Sequence, residues 1–490
     1  MRRVACAIVL SMTSVLASVS ACGGVAAAAP GSARGGPPAV RPAGHGLPGR
    51  QISQQRTSPA TGSEVDTQMG PSIAVDPRDP RRLVAAVQAG RFATVGGSAG
   101  IDYAWSHDAG RSWHTAPLPG LTTSTGGIYD RVLDPVVTFA ADGTVYASAL
   151  EFNTRDCDNV ISVQRSTDGG RTFGPPVIVQ VETSCQVVMD RNWIVVDRSP
   201  SSRHRGRLYL FWVTFVFDQA FNGLSAQEFV RYSDDRGASW SPATEVSGFS
   251  EDTQAPQPVI RANGDVLDIY TRFTDFTETA AHLVARTSTD GGRTWGPEVS
   301  IADQVFPGLF GGTGPGMRDG GILASATIDP VTGRIYAVWA DSRLRTGGAR
   351  DVLLAQSPDG RRWSPPQRVD RGSLADGVDR FTPAVAAFGG RVAVTFRDRA
   401  LAPAPAGLVG MRIAVSRDGG RSFGPAARLG PDSDLGFAAR TGQPPGNAFL
   451  GDYMQVAAGP GVAYPVWAVS GPGAPGVPTH QTTWSATVHM

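Results

Sequence analysis

The sequence contains no lysine, few cysteines, little net charge and no long apolar run after its first residues. All 44 basic side chains are arginines, and they balance 43 acidic ones to leave a formal charge of +1 over 490 residues. This balance favours neither nucleic acid nor an anionic membrane surface as a partner. The absence of lysine has no functional meaning by itself, although arginine favours the recognition of carboxylate and phosphate groups.

Cysteine is also scarce, since only Cys157 and Cys185 follow the first 22 residues. Two cysteines with no histidine nearby fall short of a zinc site. In an oxidising compartment they are expected to form a disulfide, and two unpaired thiols are the alternative. No Ser-His-Asp order, phosphate-binding loop or metal-ligand spacing is present, and the seven histidines are scattered. We therefore expect no cofactor and no metal.

The N-terminus predicts export. Arg2 and Arg3 precede a short apolar run over residues 4–16, which is too short to span a bilayer. Residues 19–23 resemble the lipobox of bacterial lipoproteins, which implies a signal peptide over residues 1–21 and lipidation of Cys22. Ordinary cleavage in the alanine run 26–29, giving a secreted protein, is the alternative. Residues 22–50 are rich in Gly, Ala and Pro and are expected to form a flexible tether.

The rest of the chain repeats one short pattern six times. Its consensus is S-x-D-x-G-x-[ST]-[WF], and the serines begin 60, 67, 55, 69 and 59 residues apart. A near-constant period of this size indicates an array of similar structural units. The copies are Ser106–Trp113, Ser166–Phe173, Ser233–Trp240, Ser288–Trp295, Ser357–Trp363, which is one residue short, and Ser416–Phe423.

Each copy is interpreted as a hairpin turn. The Asp carboxylate accepts backbone N–H bonds across the turn, the Gly supplies a positive φ, and the aromatic residue packs beneath it. Catalytic acids or calcium ligands are the alternative, but an identical acid in every unit indicates a structural need. The structural acids are Asp108, Asp168, Asp235, Asp290, Asp359 and Asp418.

This motif resembles the Asp-box, or BNR repeat, of sialidases and related propellers. Seven apolar runs qualify as first strands of units, and the last unit ends before a box would begin. Its missing outer strand is expected from the segment Arg50–Thr57, which would pair the two ends of the chain. We predict an all-β fold over residues 51–490, a seven-bladed β-propeller of four-stranded antiparallel blades. A six-bladed sialidase-type propeller is the alternative.

Function is expected on the face opposite the boxes, where loops surround the central opening. Acid–arginine pairs recur there, and they predict an arginine-lined pocket for an anionic or polyhydroxylated ligand. Ion pairing between neighbouring blades is the alternative role. The ligand-binding candidates are Arg131, Arg272, Arg343, Arg380 and Arg397.

Longer stretches, such as Phe449–Tyr453, resemble secreted bacterial sialidase-like BNR-repeat proteins over residues 68–490. The resemblance implies a Tyr nucleophile beside an acid, for which Tyr453 and Asp452 are the candidates, with Asp341 as a further carboxylate. It also implies an Arg-Ile-Pro signature, but the matching residues are Met69, Gly70 and Pro71, so the first arginine is absent.

Two functions remain open from the sequence. The first is an exported, lipid-anchored propeller that binds a glycan or another extracellular ligand at its mouth without turnover. The second is a glycoside hydrolase, either exo-sialidase-like or acting on another sugar. In both cases we expect a monomer that meets the membrane only through its lipid anchor and binds no nucleic acid.

Overall fold

The computed structural model describes residues 47–220, 222–248, 252–274, 281–305, 316–321, 323–345, 348–401, 407–442 and 447–490. The predicted signal peptide, Cys22 and most of the predicted tether lie outside the described residues. The described chain is all-β apart from one 3-10 turn, Thr123–Thr125. No helix in these ranges is long and apolar enough to cross a membrane.

The strands are short and follow one another closely. The first nine are β1 (Arg50–Ser53), β2 (Gln68–Val75), β3 (Leu83–Arg91), β4 (Ser98–Ser106), β5 (His114–Pro117), β6 (Arg131–Phe139), β7 (Val145–Phe152), β8 (Asn159–Ser166) and β9 (Val177–Glu182). The next eleven are β10 (Val187–Val196), β11 (Leu208–Phe217), β12 (Gly223–Ser233), β13 (Thr244–Glu245), β14 (Asp252–Gln254), β15 (Val259–Ile260), β16 (Val266–Phe273), β17 (Ala281–Ser288), β18 (Val299–Gln304), β19 (Met317–Arg318) and β20 (Ser325–Ile328). The last fourteen are β21 (Ile335–Asp341), β22 (Asp351–Ser357), β23 (Gln367–Arg368), β24 (Val378–Phe388), β25 (Arg391–Ala400), β26 (Leu408–Ser416), β27 (Ala427–Arg428), β28 (Ser433–Asp434), β29 (Ala439–Thr441), β30 (Asn447–Phe449), β31 (Gln455–Gly459), β32 (Val462–Ser470), β33 (Gln481–Ser485) and β34 (Val488–His489).

Most strands form antiparallel meanders, which we call units 1 to 7. They are β2–β5, β6–β9, β10–β13, β15–β18, β20–β23, β24–β27, and β31–β33 with β1. Each unit begins within a few residues of a predicted first strand. In unit 5 the apolar run that predicted the first strand covers residues 322–328, of which residue 322 is outside the described residues.

The first strands contact one another in sequence order, from β2 through β6, β10, β15, β20 and β24 to β31, and β31 contacts β2. Hydrogen bonds link neighbouring first strands: Ser72 Oγ accepts from Val137 N at 2.9 Å, and Gln455 Oε1 accepts from Ile73 N at 3.0 Å. The apolar core is divided among the spaces between units, with Val84 and Phe139 between units 1 and 2, for example. Strands such as β3 and β7 are consequently buried on both faces.

The two ends of the chain meet in unit 7. As predicted, β1 pairs with β33 in antiparallel register, with Arg50 opposite Ser485. Beyond β1, the buried Asp102 carboxylate accepts from Arg56 N at 2.6 Å, Thr57 N at 2.9 Å and Thr57 Oγ1 at 2.7 Å. The N-terminal segment is therefore fastened to both unit 7 and unit 1.

The predicted chemistry of the boxes is confirmed. In the first copy, Asp108 accepts from Ser112 N at 2.9 Å and Ser112 Oγ at 2.6 Å, and Gly110 N donates to Ser106 Oγ. The box glycines have φ between 76° and 89°. These hydrogen bonds, led by that from Ser112, hold the pKa of Asp108 below its usual range. The box carboxylates are thus engaged in the turns, at the loop between the third and fourth strands.

Candidate active site

Tyr453 lies at the opposite ends of the units from the boxes, just before β31. Its hydroxyl donates to Asp134 Oδ1 at 2.9 Å, although the two residues are 319 positions apart. The guanidinium carbon of Arg191 lies 4.3 Å from the centre of the Tyr453 ring. Units 2, 3 and 7 therefore bring an acid, a cation and a phenol together.

Asp134 and Arg191 reach the site because β6 and β10 contain β-bulges. Register shifts occur between Leu133 and Val136 and between Asp190 and Trp193. Within them Asp134 has φ of 51° and Arg191 has φ of 56°, which is uncommon for residues other than glycine. A bulge redirects a side chain, and backbone strain of this kind concentrates at functional sites.

Hydrogen bonds hold these bulges in place. Asn192 Nδ2 donates to the backbone oxygen of Asp134 at 3.0 Å and to Ser148 Oγ at 2.8 Å. The backbone N–H of Arg191 donates to Asp134 Oδ2 at 3.2 Å and to Asp190 Oδ1 at 3.0 Å. The Asp134 carboxylate is therefore fixed between Tyr453 and Asp190.

Asp190 forms an acid pair with Asp134. Burial and then the negative charge of Asp134, with which it is hydrogen-bonded, raise the pKa of Asp190 to about 8. The raised pKa favours the protonated form of Asp190 at neutral pH. Two interacting carboxyl groups that share a proton provide a proton donor and a proton acceptor at one place.

Tyr453 is held in its neutral form. Burial and then the charge of Asp134 raise its pKa well above the usual value, while Arg191 acts in the opposite direction. A free phenolate is thus disfavoured. The phenol can act as a nucleophile only if its proton passes to Asp134 as the new bond forms.

Asp452 is paired with a different residue. Its two carboxylate oxygens accept from Arg318 Nε at 2.8 Å and Arg318 Nη2 at 2.6 Å. Arg318 comes from β19, which pairs in parallel with β30, the strand that ends in Phe449. Asp452, the predicted partner of the phenol, instead orients Arg318, and Asp134 takes the phenol hydrogen bond.

Two further arginines lie at the site. Arg91 and Arg191 are 7% and 8% exposed, and the Nε atom of each has no hydrogen-bond partner. Among the described residues, neither guanidinium forms an ion pair. Arg91 lies 4.7 Å from the centre of the Phe449 ring. Burial, followed by the charge of Arg318, lowers the pKa of Arg91 to about 10. An anion bound here would accept hydrogen bonds from two guanidinium groups that form no ion pair in the described residues.

Gly70 follows Met69, the residue at the position of the absent arginine, and it leaves room for the phenol of Tyr453. A Cβ on Gly70 would lie 3.3 Å from Tyr453 Oη and 3.0 Å from Gln88 Nε2, and its φ is 57°. Met69, which stands where the arginine would be, is fully buried in a cluster with Ala439 and Phe449. The guanidinium groups at the site come instead from Arg91, Arg191 and Arg318, of which Arg318 is paired with Asp452.

The other predicted site residues have separate environments. Asp341 is fully buried and binds Arg343 at 2.7 Å and Trp339 Nε1 at 2.9 Å. Arg397 donates to the backbone oxygens of Leu450 and Ala468, and so connects units 6 and 7.

The remaining three arginines also have defined neighbours. Arg272 pairs with Glu298 at 3.0 Å, and Arg380 pairs with Asp376 at 2.5 Å. Arg131 lies over the Phe92 ring, at 3.0 Å from its centre. Of the eight predicted residues, only Tyr453 and Asp452 lie in the cluster around Asp134.

The predicted disulfide between Cys157 and Cys185 is present, with Cα atoms 4.9 Å apart. It joins the loop between β7 and β8 to the loop before β10. The latter leads directly to Asp190 and Arg191, so the bridge braces the entry to the bulge. No group of three metal-capable side chains occurs within the described residues.

No family model matches the sequence. No curated protein matches it either. Among solved structures, an alpha-L-arabinanase of Penicillium chrysogenum complexed with arabinobiose is 13% identical, with a TM-score of 0.46 over 74% of this chain and 98% of the other. A GH93 alpha-L-arabinofuranosidase of Fusarium graminearum, with arabinobiose, is 11% identical, with a TM-score of 0.44 over 90% and 98%. A leech intramolecular trans-sialidase is 13% identical, with a TM-score of 0.42 over 71% and 67%. Similarity at this level transfers no activity to this chain.

Proposed function

We propose that this protein is a glycoside hydrolase that cleaves a glycan bearing a negatively charged sugar, with Tyr453 as the nucleophile. The observation that carries the proposal is the hydrogen bond from Tyr453 to Asp134, at 2.9 Å, beside two buried arginines whose Nε atoms have no hydrogen-bond partner in the described residues. The acid pair supplies the proton transfers, and the arginines favour an anionic substrate.

In the first step, the Tyr453 oxygen attacks the anomeric carbon and its proton passes to Asp134. Asp190 gives its proton to the oxygen of the leaving group as the glycosidic bond breaks. The acid pair gains one proton and loses another, so its total charge is unchanged. This matters because two adjacent carboxylates in a partly buried site resist ionising together.

In the second step, water attacks the anomeric carbon of the tyrosyl intermediate. Asp190 accepts the proton of the water, and the departing Tyr453 oxygen recovers its proton from Asp134. The site thus returns to its starting protonation state. Two displacements at the same carbon imply that the product keeps the configuration of the substrate.

Arg91 and Arg191 would hold the negative group of the substrate. Arg91 ends β3 of unit 1, and Arg191 lies on β10 of unit 3, directly after Asp190. Arg318, which is already neutralised by Asp452, would orient the substrate through hydrogen bonds. Burial makes each contact with an anion stronger than it would be in water.

The proposal extends to the fold and the location. The seven units would be seven blades of one propeller, supported by the cyclic contacts of their first strands and the pairing of β1 with β33. The protein would be exported and lipid-anchored through Cys22, an inference that rests on the sequence. We expect a monomer.

The test is hydrolysis of a panel of aryl glycosides that includes an α-sialoside, uronides and neutral sugars. We expect turnover of an anionic member, loss of turnover in Tyr453→Phe, and a loss of about 10²–10⁴-fold in kcat for Asp134→Asn. Tyr464→Phe is the matched control, because that hydroxyl donates to Pro80 O, away from the acid pair. Full activity in Tyr453→Phe would eliminate the proposed nucleophile.

The second candidate is a glycan-binding propeller without turnover, which the replacement of the first arginine by Met69 favours. Glycan binding with no hydrolysis of any substrate would identify this case. Affinity would then fall in Arg91→Gln and Arg191→Gln and persist in Tyr453→Phe.

A further inference from the structure

The face that carries the Asp-boxes, which we call the box face, presents a ring of arginines. Every box has an arginine beside its glycine, and all six side chains belong to exposed residues. They are Arg111, Arg171, Arg236, Arg293, Arg361 and Arg421. Because the boxes are spread over six successive units, the positive charge is distributed around the face.

The acids of the boxes do not neutralise these arginines directly. Asp418, for example, accepts from Ser422 N at 2.9 Å and Ser422 Oγ at 2.6 Å, so its carboxylate is turned into its own hairpin. Within the described residues, the side chains of Arg111, Arg361 and Arg421 form neither hydrogen bonds nor ion pairs. Their guanidinium groups remain available to an external anion.

The loops between first and second strands reach the same face and add further arginines. Ala109 N in the first box donates to Arg81 O, and Gly419 N in the last box donates to Gly390 O. Arg391, beside one of these loops, is exposed, whereas Arg81 pairs with Asp79 at 3.0 Å. The six boxes and these loops together contain 17 arginines and 13 acids, so this face is moderately basic although the whole sequence is nearly neutral.

The N-terminal segment enters the fold at the box face. Arg50 Nη1 donates to the backbone oxygen of Arg111, in the first box. The strand β1 then runs away from this face, because it pairs in antiparallel register with β33. Leu47, the first described residue, pairs in parallel with Leu429 just after β27, so the described N-terminal segment runs away from the box face from its first residue onward.

We infer that the box face docks on a membrane surface of anionic lipids, with guanidinium groups against lipid phosphates and the mouth directed away from the bilayer. Guanidinium groups suit phosphate recognition. An exposed basic side chain near such a surface strengthens binding about fivefold. The inference does not depend on turnover at Tyr453, and it would leave the candidate active site open to glycans.

The test uses residues 23–490, which contain every described strand and omit the lipid attachment site. Sedimentation with vesicles of phosphatidylglycerol and phosphatidylcholine would measure binding. We expect binding to vesicles rich in phosphatidylglycerol, none to pure phosphatidylcholine, and a steep loss as salt rises. No binding to phosphatidylglycerol at low salt would overturn the inference. Equal binding to both lipids would also overturn it.

Substitutions then locate the surface. The triple variant Arg111→Gln, Arg361→Gln and Arg421→Gln should lose about 100-fold in vesicle affinity, at about fivefold for each arginine. The control replaces three exposed arginines elsewhere, Arg56, Arg155 and Arg371, with glutamine and should bind as the parent does. If both variants lose vesicle affinity equally, binding depends on total charge, and the inference of a docking face is overturned. Binding to heparin without binding to vesicles would overturn the membrane inference and would indicate that the box face binds a polyanionic polymer.

Discussion

At the scale of single residues, the candidate site depends on an acid that burial keeps protonated. The pKa of Asp190 is raised to about 8, first by burial and then by Asp134, from about 4 in an unfolded chain. The contribution of Asp190 to the free energy of unfolding is therefore complete below pH 4 and is lost as the pH rises through about 8. The group proposed to donate the proton thus destabilises the fold at neutral pH.

This gives a prediction for Asp190→Asn, in which an amide replaces the protonated acid. We expect Tm to exceed that of the parent at neutral pH, by a margin that widens between about pH 4 and pH 8 and closes below pH 4. Turnover should fall, as in other sites where activity and stability conflict. Thermal unfolding at several pH values is the measurement.

Asp235→Asn supplies a control of opposite sign. Hydrogen bonds from Ser239 lower the pKa of Asp235 to about 2, so its contribution to stability is present at neutral pH and lost as the pH falls through 2. This variant should be less stable than the parent at pH 7 and nearly equal to it at pH 2. An Asp190→Asn protein that is less stable than the parent at pH 8 would contradict the raised pKa.

At the scale of elements, the box hairpins were predictable because their interactions are local. Ser166, Asp168 and Gly170 lie within five positions, and their hydrogen bonds close inside the turn. The candidate site was only partly predictable. The sequence singled out Tyr453, but its partner Asp134 comes from another unit and depends on a bulge that no local pattern specifies.

A weak signal for the bulges exists in hindsight. Gly70, Asp134 and Thr382 each precede a proline near the start of a first strand, and all three have positive φ. A β-bulge at the residue before a proline therefore recurs in the first strands of units 1, 2 and 6, with a different residue type at the positive-φ position in each. Asp341 and Arg343, which the sequence also emphasised, bind each other and lie outside the cluster around Asp134. The neighbours Asp190 and Arg191, by contrast, lie within it.

The packing of a box against its neighbour can be tested at Gly170. Its φ is 89°, and a Cβ there would lie 2.2 Å from Cγ2 of Val84 in unit 1. Gly206 is the matched control, with φ of 91° and no atom within 4 Å of an added Cβ. Gly206→Ala should cost about 1–2 kcal/mol of unfolding free energy from backbone strain alone.

Gly170→Ala should cost about 1–3 kcal/mol more than Gly206→Ala, because the added methyl must also displace Val84. Urea unfolding of the two variants beside the parent would measure the difference. Equal losses would mean that the box turn is not packed tightly against unit 1.

At the scale of the whole molecule, the site requires contact between the two ends of the chain. Tyr453 belongs to unit 7 and Asp134 to unit 2, with unit 1 between them. The pairing of β1 with β33 and the capture of Arg56 and Thr57 by Asp102 hold units 7 and 1 together. The N-terminal segment therefore supports the site without contacting it.

Truncation tests this dependence. A chain that begins at residue 47 keeps β1 and should match the parent in Tm. A chain that begins at residue 58 loses β1 and the three hydrogen-bond donors of Asp102, and it leaves that buried carboxylate with Gln68 as its remaining side-chain donor. We expect it to unfold at a markedly lower temperature, because a strand edge of unit 7 is exposed and a buried acid is undersatisfied.

The variant Asp102→Asn in the full-length chain separates these two effects, since it retains β1 and weakens only the hydrogen bonds that Asp102 accepts from residues 56, 57 and 68. Its Tm should fall between those of the two truncated chains. If the chain beginning at residue 58 instead unfolds at the temperature of the parent, contacts among the first strands alone hold the ends together. Tyr453 and Asp134 would then keep their geometry without the N-terminal segment.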